Sequence, residues 1–169
     1  MIDLKQHIAA VPDFPKPGIL FRDIMPLLKT HLDATIAALD SLLSPAEWRQ
    51  IEAVAGIESR GFILGAALAL RKGKGFVPIR KQGKLPPPVV DVPYALEYGT
   101  GVLEMQRGEG NLFIVDDVLA TGGTLAASAA LAHRAGYDVM ALGVLIDLKL
   151  VHEFQWEGLG ARTVITYGE

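Results

Sequence analysis

Two acidic residues and a short run of hydroxyls and glycines stand close together: Asp116 and Asp117, then Ala120, Thr121, Gly122, Gly123 and Thr124. A short apolar run with a β-branched centre, residues 112–115, precedes them, and an Ala/Leu-rich stretch with helical character, residues 125–134, follows. Strand, acidic pair, Gly/Thr loop and helix together outline a site for a phosphate joined to a sugar. The first N–H groups of a helix lack partners and carry partial positive charge, so an anion settles there. Gly122 and Gly123 let backbone N–H groups approach that anion with no Cβ in the way. Thr121 and Thr124 add hydroxyl donors, and either can cap the helix. The carboxylates would repel a phosphate, but one short turn upstream they can accept hydrogen bonds from a sugar's hydroxyls. The stretch lacks the lysine of a Walker A loop and the glycine spacing of a dinucleotide fingerprint.

Other residues capable of chemistry cluster in three places. G-I-E-S-R-G, residues 56–61, is a charged turn after one strand and before a helix, and its Arg60 can pair with a second anionic group. R-K-Q-G-K-L-P, residues 80–86, carries Arg80, Lys81 and Lys84 about a glycine; a basic loop of this kind can close over a pyrophosphate and exclude water. Glu97 sits in L-E-Y-G, near the end of that loop. On its own it reads as a solvated strand glutamate. Near the N-terminus, V-P-D-F-P-K-P-G-I-L-F is broken by three prolines and a glycine, yet it holds Phe14, Ile19, Leu20 and Phe21, so it must pack on something.

The elements that position these residues follow from periodicity. Short apolar strands are expected at residues 51–55, 75–79, 112–115, 139–146 and 162–166. Helices are expected at 3–10, 31–43, 62–70 and 125–134, and a helical turn at 151–156. A hairpin is expected from 94–98 and 102–106 about Gly99-Thr100-Gly101, with residues 80–93 as loop. Strand–helix alternation implies an α/β fold with a mainly parallel sheet. The chain has 169 residues, half of them apolar, enough for one domain with a real core. With 16 basic against 19 acidic residues the net charge is −3, which argues against nucleic acid as the main partner. There are no cysteines, which excludes disulfides and thiolate metal sites and is compatible with a reducing cytoplasm. No apolar run is long enough to span a bilayer, and M-I-D-L-K-Q-H lacks the layout of a signal peptide.

V-D-D-V-L-A-T-G-G-T resembles the phosphoribosyl-pyrophosphate (PRPP) motif of the type I phosphoribosyltransferases. F-R-D-I, G-I-E-S-R-G-F, R-K-Q-G-K-L-P and L-E-Y-G-T, in that order, resemble the adenine phosphoribosyltransferases in particular. Enzymes of that family acting on hypoxanthine or guanine carry a catalytic aspartate three residues after the acidic pair, where this chain has Ala120. The resemblance runs from about residue 14 to 146. It implies a type I phosphoribosyltransferase fold: a mainly parallel central sheet flanked by helices, a small N-terminal hood at about residues 1–30 and a core at about 31–169. A flexible catalytic loop and hairpin are implied at about 80–98.

The activity implied is transfer of the 5-phosphoribosyl group of PRPP to N9 of adenine, giving AMP and pyrophosphate. Ala120, Thr121, Gly122, Gly123 and Thr124 would then hold the 5′-phosphate, and Asp116 and Asp117 the ribose. Glu58, Ser59, Arg60, Lys81 and Lys84 would hold the pyrophosphate, with a non-proline cis peptide implied at Glu58-Ser59. Glu97 would be the acid/base, with Arg60 and Lys84 also catalytic, and Phe21 and Arg22 would border adenine. Mg²⁺ is the implied cofactor, bound through substrate and water and by at most Asp116 among the side chains. A cytoplasmic homodimer is implied. The alternatives are a PRPP-binding regulatory domain and a transferase for another purine base. Two departures stand out: the segment between Glu104 and Leu112 is short for the family, and Gly101 replaces a polar residue, both near the hairpin.

Overall fold

The computed structural model describes residues 1–96, 99–151 and 153–168. Two compact units emerge, Met1–Ala38 and Leu39–Glu169.

The first unit begins with a 3₁₀ turn, Leu4–His7, capped by the Asp3 side chain, which accepts from the N–H of Lys5 at 3.1 Å. The expected helix stops there, because Ala9 and Ala10 belong to strand β1 (Ala9–Pro12), which pairs antiparallel with β2 (Leu20–Asp23). The Pro-rich segment is therefore irregular only between these strands. There Asp13 Oδ1 accepts from the N–H of Gly18 at 2.8 Å, and the Phe14 and Phe21 rings meet edge to face at 5.2 Å. Helix α1 (Met25–Asp40) starts six residues before the expected His31, where its backbone instead leaves helical geometry.

In the second unit, helix α2 (Pro45–Gln50) is too short for periodicity to reveal. Its local signal is the capping box: Ser44 Oγ accepts from Glu47 N–H, while Glu47 accepts from Ser44 N–H. Then follow β3 (Ala53–Ile57), α3 (Arg60–Lys72) and β4 (Gly75–Lys81). After them come β5 (Val89–Leu96), β6 (Gly99–Gln106), β7 (Gly110–Leu119), α4 (Gly123–Ala135) and β8 (Tyr137–Asp147). Strands β9 (Gln155–Trp156) and β10 (Leu159–Thr166) close the order. The sheet runs β5-β6-β4-β3-β7-β8-β10-β9. Its middle, from β4 to β10, is parallel, while β5, β6 and β9 add antiparallel edges.

Three expectations change here. Residues 89–93 are strand rather than loop, because β5 pairs with β6 continuously from Val89↔Gln106 to Leu96↔Gly99. Gly99, Thr100 and Gly101 therefore lie inside β6, not at the turn. Residues 155–156 form a strand, not a helical turn, because they pair with β10.

Strand β7 lies mid-sheet, and Leu112, Phe113, Ile114 and Val115 are fully buried, as a strand covered on both faces requires. It also runs past the apolar run. Pairing with β8 continues through Asp116↔Val144 to Leu119↔Asp147, so the acidic pair is inside the strand rather than after it. Beside it, β3 pairs with β7 only as far as Gly56↔Val115. Beyond that point the two strands part. From β3 the chain crosses to β4 on one side, and from β7 to β8 on the other. That reversal is a topological switch point, where the carboxyl ends of parallel strands open a crevice.

Candidate active site

The crevice is framed by two helix starts. At the β7–α4 junction, Gly122 is the N-cap with φ +90°, a left-handed conformation that suits glycine, and no side chain caps the helix. Neither Thr121 nor Thr124 caps it, contrary to expectation; the glycine geometry turns the chain without a hydroxyl. Gly123, Thr124 and Leu125 open the first turn, where a helix has N–H groups to give. The ring of Phe154 presses on this loop: a Cβ on Gly122 would fall 2.7 Å from its Cδ2. Nothing in the sequence pattern marks Phe154 for that contact, which tertiary folding creates.

The second helix start is at the β3–α3 junction, and its Glu58-Ser59 peptide bond is cis, as expected. Ser59 is the N-cap and Arg60 the first helical residue. The Arg60 guanidinium pairs with Asp117. Gly61 lies so near the acidic pair that a Cβ there would be 3.1 Å from Asp116 Oδ1. Thus Asp116, Asp117, Glu58, Ser59, Arg60 and residues 120–124 share one edge of the sheet.

The acidic pair is asymmetric. Asp116 and Asp117 are both buried, and Asp116 Oδ1 accepts from Asp117 N–H at 2.8 Å. Asp117 has the cation Arg60. For Asp116, burial and then the neighbouring Asp117 charge outweigh the Arg60 charge and push its carboxyl well above the usual range.

Cations reach the same edge from the loop after β4. Lys81 ends β4, and residues 82–88 connect it to β5. The Glu58 carboxylate collects them: it accepts from Lys81 N–H at 2.9 Å, pairs with Lys84 Nζ, and has Arg80 Nε at 3.5 Å. Burial would raise the Glu58 carboxyl, but the Lys84 side chain, the Lys81 amide and Arg80 outweigh it, and it titrates below its ordinary value. Arg80 also stacks over Phe62 at 5.5 Å. Glu97 lies outside the described residues. Phe21 and Arg22 stand in β2 of the first unit, where Phe21 packs on Phe14 and Arg22 pairs across to Ala10. One buried acid that the motifs do not mark, Glu104 in β6, touches the basic loop.

The two departures find places. A Cβ at Gly101 would lie 2.6 Å from the Tyr94 ring on β5, so glycine there admits the tyrosine. The shortened segment becomes a three-residue link between Gln106 and Gly110. It meets β7 at the strand's amino end, about 20 Å along the strand from Asp116 at roughly 3.3 Å per residue.

Comparison with known proteins narrows this geometry to one chemistry. Residues 30–153 match the phosphoribosyl transferase domain. The chain belongs to the phosphoribosyltransferase family, in its adenine branch. It is 49% identical to the adenine phosphoribosyltransferase of Hydrogenovibrio crunogenus, over 98% of this chain and 97% of that one. The crystal structure of the Rhodothermus marinus adenine phosphoribosyltransferase superposes with a TM-score of 0.81 at 44% identity, covering 96% of each chain. The Saccharomyces cerevisiae enzyme, complexed with an imino-altritol bisphosphate and adenine, gives a TM-score of 0.87 at 33% identity, again over 96% of each chain. The type I fold with a mixed central sheet and flanking helices is thereby established, with the parallel strands at its centre.

Proposed function

We propose that the chain transfers the 5-phosphoribosyl group of PRPP to N9 of adenine, releasing pyrophosphate and forming AMP, with its residues dividing the work as follows. The observation that carries this reading is the convergence of two helix starts, an acidic pair and a cationic loop on one switch-point edge. The adenine relatives supply the choice of base.

The start of α4, with Ala120, Thr121, Gly122, Gly123 and Thr124, receives the 5′-phosphate through N–H groups and hydroxyls. Asp116 and Asp117 accept from the ribose hydroxyls. As the bond from C1 to pyrophosphate oxygen breaks, positive charge grows on the sugar, and the nearby carboxylates stabilise it. The leaving oxygen keeps the bonding electron pair. Arg60, Lys81 and Lys84, with the backbone of Glu58 and Ser59, neutralise that departing charge. Adenine N9 forms the new bond to C1, and Glu97 moves the base's proton as the ring nitrogen attacks. The N-terminal segment, about residues 1–30, serves as a hood whose Phe21 offers an apolar face to the purine, beside Arg22.

The donor set also fits Mg²⁺ held mainly through substrate. Arg60 already engages Asp117, and Asp116 is buried, so the side chains offer a hard cation little and substrate oxygens and water offer it most. When bound, the ion would further neutralise the pyrophosphate. A cytoplasmic homodimer completes the reading; the absence of cysteine suits a reducing compartment, and among the described residues no helix is long and apolar enough to cross a membrane.

The test is to incubate the purified protein with PRPP, Mg²⁺ and each purine base in turn, and to separate the products. AMP from adenine alone is the expected result. Product from another base would keep the PRPP site and overturn the adenine assignment. PRPP binding without any product would favour a regulatory PRPP-binding domain.

A further inference from the structure

Glu104 is a buried acid on an edge that must receive anions. It lies in β6 between Leu103 and Met105, and only 3% of it is exposed. Its neighbours across the sheet are Arg80 on β4 and Asp91 on β5. A carboxylate here opposes the arrival of pyrophosphate by simple charge repulsion, and a neutral side chain would fill the space without that cost. Its hydrogen bonds explain its presence. Oε1 accepts from the backbone N–H of Lys84 at 2.8 Å and of Leu85 at 2.7 Å. Burial would raise this carboxyl, but the amides of Leu85, Gly83 and Lys84, with the Arg80 charge, more than offset it and hold it ionised.

Lys84 is therefore fixed at two points by two different acids. Glu104 holds its backbone, and Glu58 holds its side-chain tip. The two contacts have different fates when a pyrophosphate arrives. The exposed tip can exchange Glu58 for substrate oxygens. The buried backbone contact need not break, so it can act as the pivot about which the side chain swings.

We propose that Glu104 is a positioning residue that clamps the backbone of residues 83–85 and so aims Lys84 at the leaving pyrophosphate. This rests on the phosphoribosyl-transfer reading above. Glu104 touches no reacting atom; its effect passes through the loop.

The variant E104Q keeps the shape and one acceptor oxygen but removes the charge. L85P removes one donor from the loop side and leaves the buried strand untouched. For each, initial rates are measured against PRPP and adenine separately, with thermal melting and the rate of tryptic cleavage after Lys81, a bond that both variants keep, located by mass spectrometry. The expected result for E104Q is a fall of about tenfold in kcat/KM for PRPP, with KM for adenine changed by less than about twofold. Loop cleavage should accelerate by about fivefold or more in both variants, since anchored backbone resists proteolysis. Unchanged PRPP kinetics with unchanged cleavage would overturn the proposal. So would an equal loss for both substrates with a general drop in melting temperature, which marks a merely structural role. If the wild-type protein makes no AMP, the functional reading fails, while the cleavage rates still decide whether Glu104 anchors the loop.

Discussion

Acids of two kinds flank the same sheet edge: Glu58 and Glu104 titrate below their ordinary value and Asp116 above its own. Glu58 and Glu104 lie below the ordinary glutamate value because lysine, arginine and backbone amides saturate their oxygens. Asp116 lies above the ordinary aspartate value, because burial and the neighbouring Asp117 carboxylate outweigh the Arg60 charge, which is paired with Asp117. The first pair is satisfied within the fold and holds a loop. In the second, Asp117 has Arg60, while Asp116 has no ion pair of its own among the described residues, and a perturbed buried acid of that kind marks functional sites. On the proposed reading, saturation rather than position at the edge separates the acids that serve the sugar from those that hold the loop.

The strongest test of this contrast is Asp116→Asn. The asparagine Oδ1 can still accept the Asp117 N–H, so local geometry survives. Loss of the charge facing the ribose should lower kcat/KM for PRPP by about 100-fold or more. Stability should move the other way. A carboxyl whose folded pKa is raised contributes its full stability below the unfolded value, and loses it as pH rises through the folded pKa. At neutral pH the wild type has incurred that loss and D116N has not. The variant should therefore melt higher, by roughly 2–4 °C for a chain of this size. The gap should close as pH falls toward the ordinary aspartate value of 3.8. A variant that loses activity and also melts lower at neutral pH would show that Asp116 is a satisfied structural acid, and the contrast would collapse.

A smaller effect is expected on the saturated side. Lys84→Ala removes a cation from the loop and leaves Glu58 with the Lys81 amide and Arg80. PRPP use should weaken by roughly tenfold, through kcat/KM, since one of several cations facing the pyrophosphate is lost. Melting should change by less than about 1 °C, because Lys84 is nearly half exposed and such pairs contribute little. Steady-state rates and a melting curve measured on one preparation separate the two readouts. A large melting shift would mean that the Glu58–Lys84 pair holds the fold rather than a substrate-ready loop.

The sequence exposes the acidic pair, the Gly/Thr loop and the charged turns, because each depends on residues adjacent in the chain. It also exposes the parallel strands, whose apolar runs are continuous. Contacts made only by distant pairing stay hidden. The first part of strand β5, with Asp91 and Pro93, reads as loop, yet β6 pairs with the strand along its whole length. Glu104 looks like an ordinary strand glutamate until residues some twenty positions earlier fold over it. Phe154 reads as part of a helical turn, though it packs on Gly122. The extent of β7 is hidden for the same reason: aspartates are poor strand formers, and only the long partner β8 carries the strand through them.

A third saturated acid, away from the loop, supplies the control for the comparison and the smallest effect. Glu47 in α2 meets Arg162 in β10 through two hydrogen bonds, Oε1 to Nη2 at 2.6 Å and Oε2 to Nη1 at 2.9 Å. Arg162 and the capping bond to Ser44 draw its pKa down to about 2. A depressed carboxylate contributes stability above its unfolded value, near 4.5, and loses it as pH falls toward the folded value. The wild type should thus shed this contribution between about pH 4.5 and 2, while Glu47→Gln should not. At neutral pH the variant should melt lower by no more than about 2 °C, as exposed pairs allow, with PRPP and adenine kinetics unchanged. D116N and E47Q therefore predict melting shifts of opposite sign at neutral pH from the loss of one carboxylate each. If both lower the melting temperature, saturation is not what separates the acids of the site from those of the scaffold.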